Sequence, residues 1–328
     1  MQTRLFGRTG RRVSEIGFGA WAIGGSWGEV GDDDAVSALH AALDSGVTFI
    51  DTADVYGDGR SERLICRALK ERGGEKPFVA TKAGRRLPQQ TVAGYTLENL
   101  NGWIDRSLAN LGVETIDLVQ LHCPPTDLYY HPEVFDGLDR IVKSGKIRAY
   151  GVSVERVEEG LKAIEYPGVV SIQIIFNIFR QRPVDHFFAA AKNNGVAVIA
   201  RVPLASGLLA GKFRADTKFA DSDHRAFNRH GAFFDVGETF AGVPYDVGLN
   251  AVERVRALVG ADVSMSQFAL RWILMFDAVT VAIPGAKNAA QARANAQAAG
   301  LPALSPPTMA KLRAIYDEDI RPYVHQRW

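Results

Sequence analysis

Eight short, almost continuously apolar runs, each followed by a stretch with helical periodicity, constrain this chain more than any other feature. The runs fall at 16–19, 47–51, 78–81, 116–121, 149–152, 170–173, 196–201 and 280–284. Strands read this way when both faces are covered, which is the condition of a parallel sheet clothed in helices. Amphipathic stretches follow at 33–45, 61–70, 96–111, 134–144, 156–164, 184–194, 247–259 and 289–298. Thr96 with Glu98 close behind marks a helix start, and Gly46, Gly112 and Gly195 mark stops. Eight strands alternating with eight helices predict an α/β fold of the closed (β/α)8, or TIM-barrel, type rather than an open doubly wound sheet. No composition break interrupts the cycle, so residues 1–328 are expected to form a single domain.

Three segments lie outside the cycle. Residues 5–13 read as a hairpin around Arg8-Thr9-Gly10-Arg11 that plugs the bottom of the barrel, the alternative being a loose N-terminal strand. After the seventh strand, residues 213–245 are rich in Gly, Phe, Arg and Asp without a period, and a loop of that length is a lid or a disordered insertion. A further helix at 264–275 precedes the last strand.

Composition removes several functions. Lys and Arg number 38 against 37 Asp and Glu, a formal charge of +1, which lacks the basic footprint of a nucleic-acid binder. Cys66 and Cys123 have no framework or CxxC spacing, so reduced thiols in a cytoplasmic protein, and no metal, are expected. Residues 1–6 lack the apolar core of a signal peptide, and no window approaches the ~18 apolar residues of a membrane span. A small-molecule partner is expected, with the chain a monomer or weak homo-oligomer.

Three motif matches fail on inspection. Gly17 to Ala22 fits G-x-G-x-x-A, but Gly24, Gly25 and Gly28 prevent the helix that this dinucleotide fingerprint requires. Gly207 to Lys212 is one residue short of a phosphate loop, and Phe213 stands at its Ser/Thr position. Gly151-Val152-Ser153-Val154-Glu155 lacks the second glycine of a nucleophile elbow.

Barrel enzymes place reactive groups at the C-terminal ends of strands. There this chain carries Asp51 with Tyr56 in the following loop, then Lys82, then His122. Singly, Asp51 caps a helix, Tyr56 packs the rim, Lys82 is a solvated strand end and His122 a core histidine. Together they converge on one mouth. A phenol is suited to protonating a developing alkoxide, an adjacent ammonium lowers its pKa, a carboxylate keeps the ammonium charged, and an imidazole polarises a carbonyl.

At this point the chain resembles the aldo-keto reductase superfamily, closest to the bacterial branch that also resembles potassium-channel β-subunits and general stress reductases. The resemblance rests on Leu5-Phe6-Gly7-Arg8-Thr9-Gly10 with Ser14, the highly specific Phe49-Ile50-Asp51-Thr52-Ala53-Asp54-Val55-Tyr56-Gly57, Ser61-Glu62, Asp117-Leu118 with Leu121-His122, Gly151-Val152-Ser153, and Ile283-Pro284-Gly285-Ala286. It implies that Asp51, Tyr56, Lys82 and His122 form the family tetrad, with Tyr56 the proton donor.

The resemblance also implies a cofactor, NADP(H), with NAD(H) possible. Gly19, Ala20 and Trp21 fall at its binding positions. Ser153 and Gln173 match the residues that hold the nicotinamide carboxamide, although Val154 replaces the usual Asn. Arg201 stands where many relatives stack an aromatic ring, and its charge is expected to favour the less cationic form of the nicotinamide. Pro203, Leu204, Ser206, Gly207, Leu208, Gly211 and Lys212 resemble the loop over the pyrophosphate. Gly285, Lys287, Gln291 and Asn295 fall on the adenosine-phosphate site, with Gln291 replacing a common Arg, so Lys287 favours the 2′-phosphate, Arg293 being a weaker candidate. Trp21, Trp27, Tyr129 and Tyr130, together with the 213–245 insertion and the tail ending in Tyr323 and Trp328, are candidates for the substrate pocket wall, the alternative for each being packing.

The activity this implies is hydride transfer that reduces an aldehyde or ketone to an alcohol. The alternative is an NADP(H)-binding redox-sensing subunit with little turnover. A third reading, a Schiff-base aldolase on Lys82, conflicts with an acid that keeps the lysine charged.

Overall fold

The structure is a computed structural model that describes residues 1–25 and 27–328. It opens with an antiparallel pair, β1 (Thr3–Leu5) and β2 (Arg12–Ser14). Eight parallel strands follow: β3 (Phe18–Gly19), β4 (Phe49–Asp51), β5 (Phe78–Ala83), β6 (Leu118–His122), β7 (Tyr150–Ser153), β8 (Val169–Ile175), β9 (Ala197–Arg201) and β10 (Val279–Ala282). Each pairs with its sequence neighbour, and parallel bridges from Ile16 to Ala282 and from Gly19 to Gly285 close the ring. Closure demands glycine at position 19, where a Cβ would sit 2.5 Å from the Ile283 carbonyl oxygen.

The helices between strands are α1 (Asp32–Asp44), α2 (Arg60–Arg72), α3 (Leu97–Leu111), α4 (Pro132–Lys143), α5 (Val157–Ala163) and α6 (Phe187–Asn193). The link from β9 to β10 holds the short α7 (His224–Phe227), then α8 (Tyr245–Arg256) and α9 (Met265–Leu274), and α10 (Ala289–Gln297) follows β10. The expected alternation is therefore present, with strand ends displaced by no more than two residues. Thr96 caps α3 by accepting from the Asn99 N–H at 3.2 Å, and Gly112 ends that helix in the left-handed region, as their types suggested. The segment at 184–194 differs: Pro183 sits in a 3-10 turn, and α6 begins only at Phe187. Beyond α10, α11 (Pro306–Ile315) and α12 (Arg321–Val324) complete the chain.

The hairpin is a plug. Phe6 is fully buried, its ring centroid 5.4 Å from Phe49 and 4.9 Å from Phe78, in a cluster with Leu118, Ile199 and Val281 that fills the lower barrel. Side chains alternate across a strand, so the inward face that carries Phe49, Phe78 and Ala80, and Leu118 continues upward into Asp51, Lys82, and Gln120 with His122. The barrel interior thus changes from apolar to polar along its axis, and the polar end is the end of the strands.

The 213–245 segment is folded across that end. It contains α7 and 3-10 turns at Val236–Glu238 and Phe240–Gly242. Ser206 fastens it, its hydroxyl donating to the Glu238 carbonyl at 3.0 Å and accepting from the Phe240 N–H at 3.1 Å. The chain terminus braces it from outside, with Trp328 Nε1 donating to Asp235 Oδ1 at 2.9 Å. No helix among the described residues is long and apolar enough to cross a membrane.

Candidate active site

The four strand-end groups meet. Lys82 Nζ donates to Asp51 Oδ2 at 2.6 Å, to the Thr52 carbonyl at 2.9 Å and to Tyr56 OH at 3.3 Å. The Tyr56 and His122 rings stand edge to face, 5.8 Å between centroids. Parallel register sets Asp51 opposite Ala80 and Lys82 opposite Gln120, so Lys82 and His122, each two residues further along its strand, rise above Asp51, and the turn after β4 brings Tyr56 back to Lys82 and His122.

Burial decides the protonation states. It presses the Lys82 ammonium downward, yet the Asp51 carboxylate and Tyr56 carry it above the ordinary lysine value. The Tyr56 phenol ends above its usual range, because burial outweighs the pull of Lys82. The sequence expectation that the ammonium lowers the phenol is therefore right about the force and wrong about the balance. A phenol that resists ionisation is a proton donor, not a base. His122 is driven well below the usual histidine value by burial and then by Arg85, Lys82 and Arg201, so its imidazole is neutral, with Nδ1 unpaired among the described residues.

A cavity of about 510 Å³ runs from this cluster toward α10. Asp51, Tyr56 and His122 line its inner end, while Lys82 stands behind them. Of the expected cofactor residues, Gly19, Trp21, Ser153, Gln173, Arg201, Pro203, Leu204, Ser206, Gly207, Lys212, Gly285, Lys287, Gln291 and Asn295 also line it. Ala20, Leu208 and Gly211 do not. Ala20 is consumed in the wall, its N–H bonded to the Asp51 carbonyl and its carbonyl accepting from Ser61 Oγ. Leu208 is buried against Gly248, and the Gly211 carbonyl accepts from Arg256. Arg293 is exposed and lies off the cavity.

Among the candidates for the wall, Trp21, Trp27 and, from the 213–245 insertion, Phe213, Arg225 and Glu238 line the cavity. Tyr129 is buried elsewhere, Tyr130 and Tyr323 are exposed, and Trp328 packs under Arg180.

The mouth also holds groups that sequence reasoning missed. Arg85 Nη2 donates to Glu238 Oε1 at 2.6 Å, and Arg201 Nη2 to Glu155 Oε2 at 2.8 Å, with Arg201 Nη1 3.5 Å from Glu238 Oε2. Burial, reinforced by Glu238 against the pull of Arg201, raises Glu155 to about 7. Burial opposes ionisation of Glu238 too, but Arg85 and Arg201 hold it at about 2. The Arg201 guanidinium thus faces the Glu238 carboxylate and Glu155, whose charge is only about half present near neutral pH. Cys123, Glu155 and Glu238 bring three donor atoms within 4.8 Å of one another, but the guanidiniums engage both carboxylates. Gln120 was missed as well. It is fully buried and donates to Asp51 Oδ1 at 3.1 Å, beside Gln173, which donates to the same oxygen at 2.7 Å.

The outer end suits an elongated anion. Lys212, Lys287 and Arg225 line it, and the left-handed backbone at Ala205, Ser206 and Gly207 folds against it. Trp27 Nε1 is buried without a hydrogen-bond partner among the described residues, a donor left for a ligand. Lys287 Nζ is tethered to the Trp27 carbonyl, and burial with nearby Arg225 lowers its pKa.

The fold and site define a class: a closed (β/α)8 barrel that gathers a phenol, an ammonium, a carboxylate and a neutral imidazole beside a long cation-lined groove. Comparison with known proteins assigns the family: the model described as "Aldo/keto reductase family" matches residues 15–317, and the chain belongs to the aldo-keto reductase family. It is 30% identical over 301 residues to Aldo-keto reductase YhdN of Bacillus subtilis (strain 168), covering 89% of this chain and 87% of that protein. It is 25% identical to a probable voltage-gated potassium channel subunit beta of Arabidopsis thaliana, covering 96% of each. Among solved structures it resembles the glycerol dehydrogenase AKR11B4 from Gluconobacter oxydans, with 30% identity, a TM-score of 0.76, and coverage of 98% of this chain and 96% of that one.

Proposed function

We propose that the protein is an NADP(H)-dependent reductase of small aldehydes or ketones in which Tyr56 is the general acid. The observation that carries this reading is the Asp51–Lys82–Tyr56 chain, 2.6 Å and 3.3 Å long in its two links, beside a neutral His122 in the wall of the cavity.

Ser153 and Gln173 would hold the nicotinamide of a dinucleotide, and Lys212, Lys287 and Arg225 its phosphates; the chemistry such a reduced cofactor would supply is hydride for the carbonyl carbon. The protein's own residues manage the oxygen. Tyr56 delivers its proton to the developing alkoxide, and the Lys82 ammonium stabilises the phenolate left behind. Asp51 keeps that ammonium charged and in place. The neutral His122 offers an N–H to the carbonyl oxygen, orienting it toward Tyr56. The folded segment over the mouth contributes Phe213, Arg225 and Glu238 to the wall around this exchange.

The test is consumption of NADPH with a panel of small aldehydes. Multiple turnover supports the proposal, whereas tight nucleotide binding without turnover overturns it in favour of a redox-sensing role.

A further inference from the structure

We infer that Asp51 is also a positioning residue for the cofactor: through Gln173, and with Gln120 as a second support, it decides which end of the Gln173 amide faces the cavity. The inference rests on the proposed nicotinamide site and deepens it.

The reasoning is an inventory of donors and acceptors. An ionised carboxylate only accepts hydrogen bonds. Asp51 Oδ2 is taken by Lys82, and Asp51 Oδ1 faces one atom of Gln120 at 3.1 Å and one of Gln173 at 2.7 Å. Both must therefore be amide nitrogens. The Gln173 nitrogen lies 3.4 Å from Gln120 Oε1 as well, which accounts for its second hydrogen. Gln173 Oε1 is left to Ser153 Oγ, 3.4 Å away, in the cavity wall.

All four residues are buried, so no solvent competes to turn either amide over. Gln120 sits on β6 two positions before His122, facing into the barrel where Leu118 fills the layer below. A buried amide in such a place is costly unless bonded, and both ends of this one are bonded within the network. The consequence is that the cavity presents an acceptor at Gln173, matched to the N–H2 group of a primary carboxamide. The carboxylate that holds Lys82 thereby also selects the carboxamide.

Replacing the carboxylate by an amide makes the network reverse. In Asp51→Asn the side-chain oxygen is claimed by Lys82, so the Asn N–H2 faces Gln120 and Gln173, which must turn their oxygens inward. Gln173 then shows N–H2 to the cavity, donor against donor.

Binding, not activity, reads this out. The affinities of NADP⁺ and of its acetylpyridine analogue, which keeps the carbonyl but lacks the N–H2, are measured by quenching of Trp21 fluorescence. The wild type is expected to favour NADP⁺ about tenfold, the worth of one matched bond over one unmatched buried group. Asp51→Asn is expected to abolish or invert that ratio. Gln120→Leu, which leaves a Gln173 hydrogen without an acceptor, lowers it part of the way and decides the matter alone if Asp51→Asn does not fold. Tyr56→Phe leaves the ratio as it is. General damage to the site weakens both ligands equally, so a ratio unchanged in Gln120→Leu and in any folded Asp51→Asn overturns the inference while the function stands. A wild type that binds neither nucleotide overturns both.

Discussion

Arg85, two residues beyond the end of β5, donates to Glu238 at 2.6 Å across 153 positions of sequence. The bond ties the barrel to the segment that covers its mouth, and Arg201 reaches the same carboxylate from β9. Hydrogen bonds to a buried charge are each worth about 1.5–3 kcal/mol, more than most single contacts in a connecting segment. Glu238→Gln keeps the shape and removes the charge. Amide hydrogens of residues 236–242 are then expected to exchange about thirtyfold faster, the equivalent of about 2 kcal/mol of local stability, while exchange in β5 and β6 is unaltered. Equal protection in both proteins would show that the segment is held by its apolar contacts and its bonds to Ser206 and Trp328, without help from the Glu238 charge.

The proton donor is tested at one oxygen. Tyr56→Phe removes the hydroxyl that sits 3.3 Å from Lys82 and keeps the ring that packs on Trp21 and His122. General acid catalysis contributes about 10²–10⁴-fold, so kcat is expected to fall by at least about 10²-fold. Nucleotide affinity should stay within about twofold, since the hydroxyl serves the substrate oxygen. Steady-state kinetics with a fluorescence titration separate the two quantities. Full retained activity removes Tyr56 from the mechanism.

Within the proposed nucleotide site, Lys287 is the residue at which nucleotide preference is tested. Its ammonium is held at the outer end of the cavity by the Trp27 carbonyl, and Gln291 is occupied by accepting from the Lys287 backbone N–H at 2.9 Å. In the proposed reading the ammonium is then the group that meets a 2′-phosphate, since nearby Arg225 is engaged by the Asp223 carboxylate at 2.8 and 2.5 Å. Lys287→Ala is expected to weaken NADPH about tenfold, or about 1.4 kcal/mol, and to leave NADH unchanged. Titration of both nucleotides checks it, and parallel losses would place the phosphate elsewhere.

The barrel was legible because its strands are buried on both faces and read as unbroken apolar runs. The tetrad was legible because Asp51, Lys82 and His122 each interrupt apolarity where a strand ends. Gln120 was not, since it lies inside such a run and differs from a core residue only by bonds to Asp51 and Gln173. Glu238 and Arg225 lie in an aperiodic segment whose conformation is set by distant partners such as Arg85 and Trp27. Glu155 offered a signal that went unused: it follows Ser153 and Val154 at the end of β7, a strand end like those that supplied the tetrad. The C-terminal helices were missed for a simpler reason, that the eightfold cycle was already complete.

The same strand-end motif contains a carboxyl that the chemistry does not use. Asp54 is buried and raised to about 7, chiefly by burial and then by Glu62, against the opposing pull of Arg86 and Arg106. An acid whose pKa is higher folded than unfolded holds its proton more tightly in the native state. Its ionisation therefore costs stability, a penalty absent below about pH 4, growing as pH rises toward 7 and constant above. With an unfolded value of about 3.9, the native state loses roughly 3 kcal/mol from this one group between pH 5 and pH 8. Asp54→Asn removes the titration, so the variant is expected to gain on the wild type by that amount over the interval. Urea unfolding of both proteins at pH 5 and pH 8 measures the difference directly. A gap between them that stays constant across the two pH values would mean that Asp54 is already ionised at pH 5, and that Arg86 and Arg106 outweigh its burial.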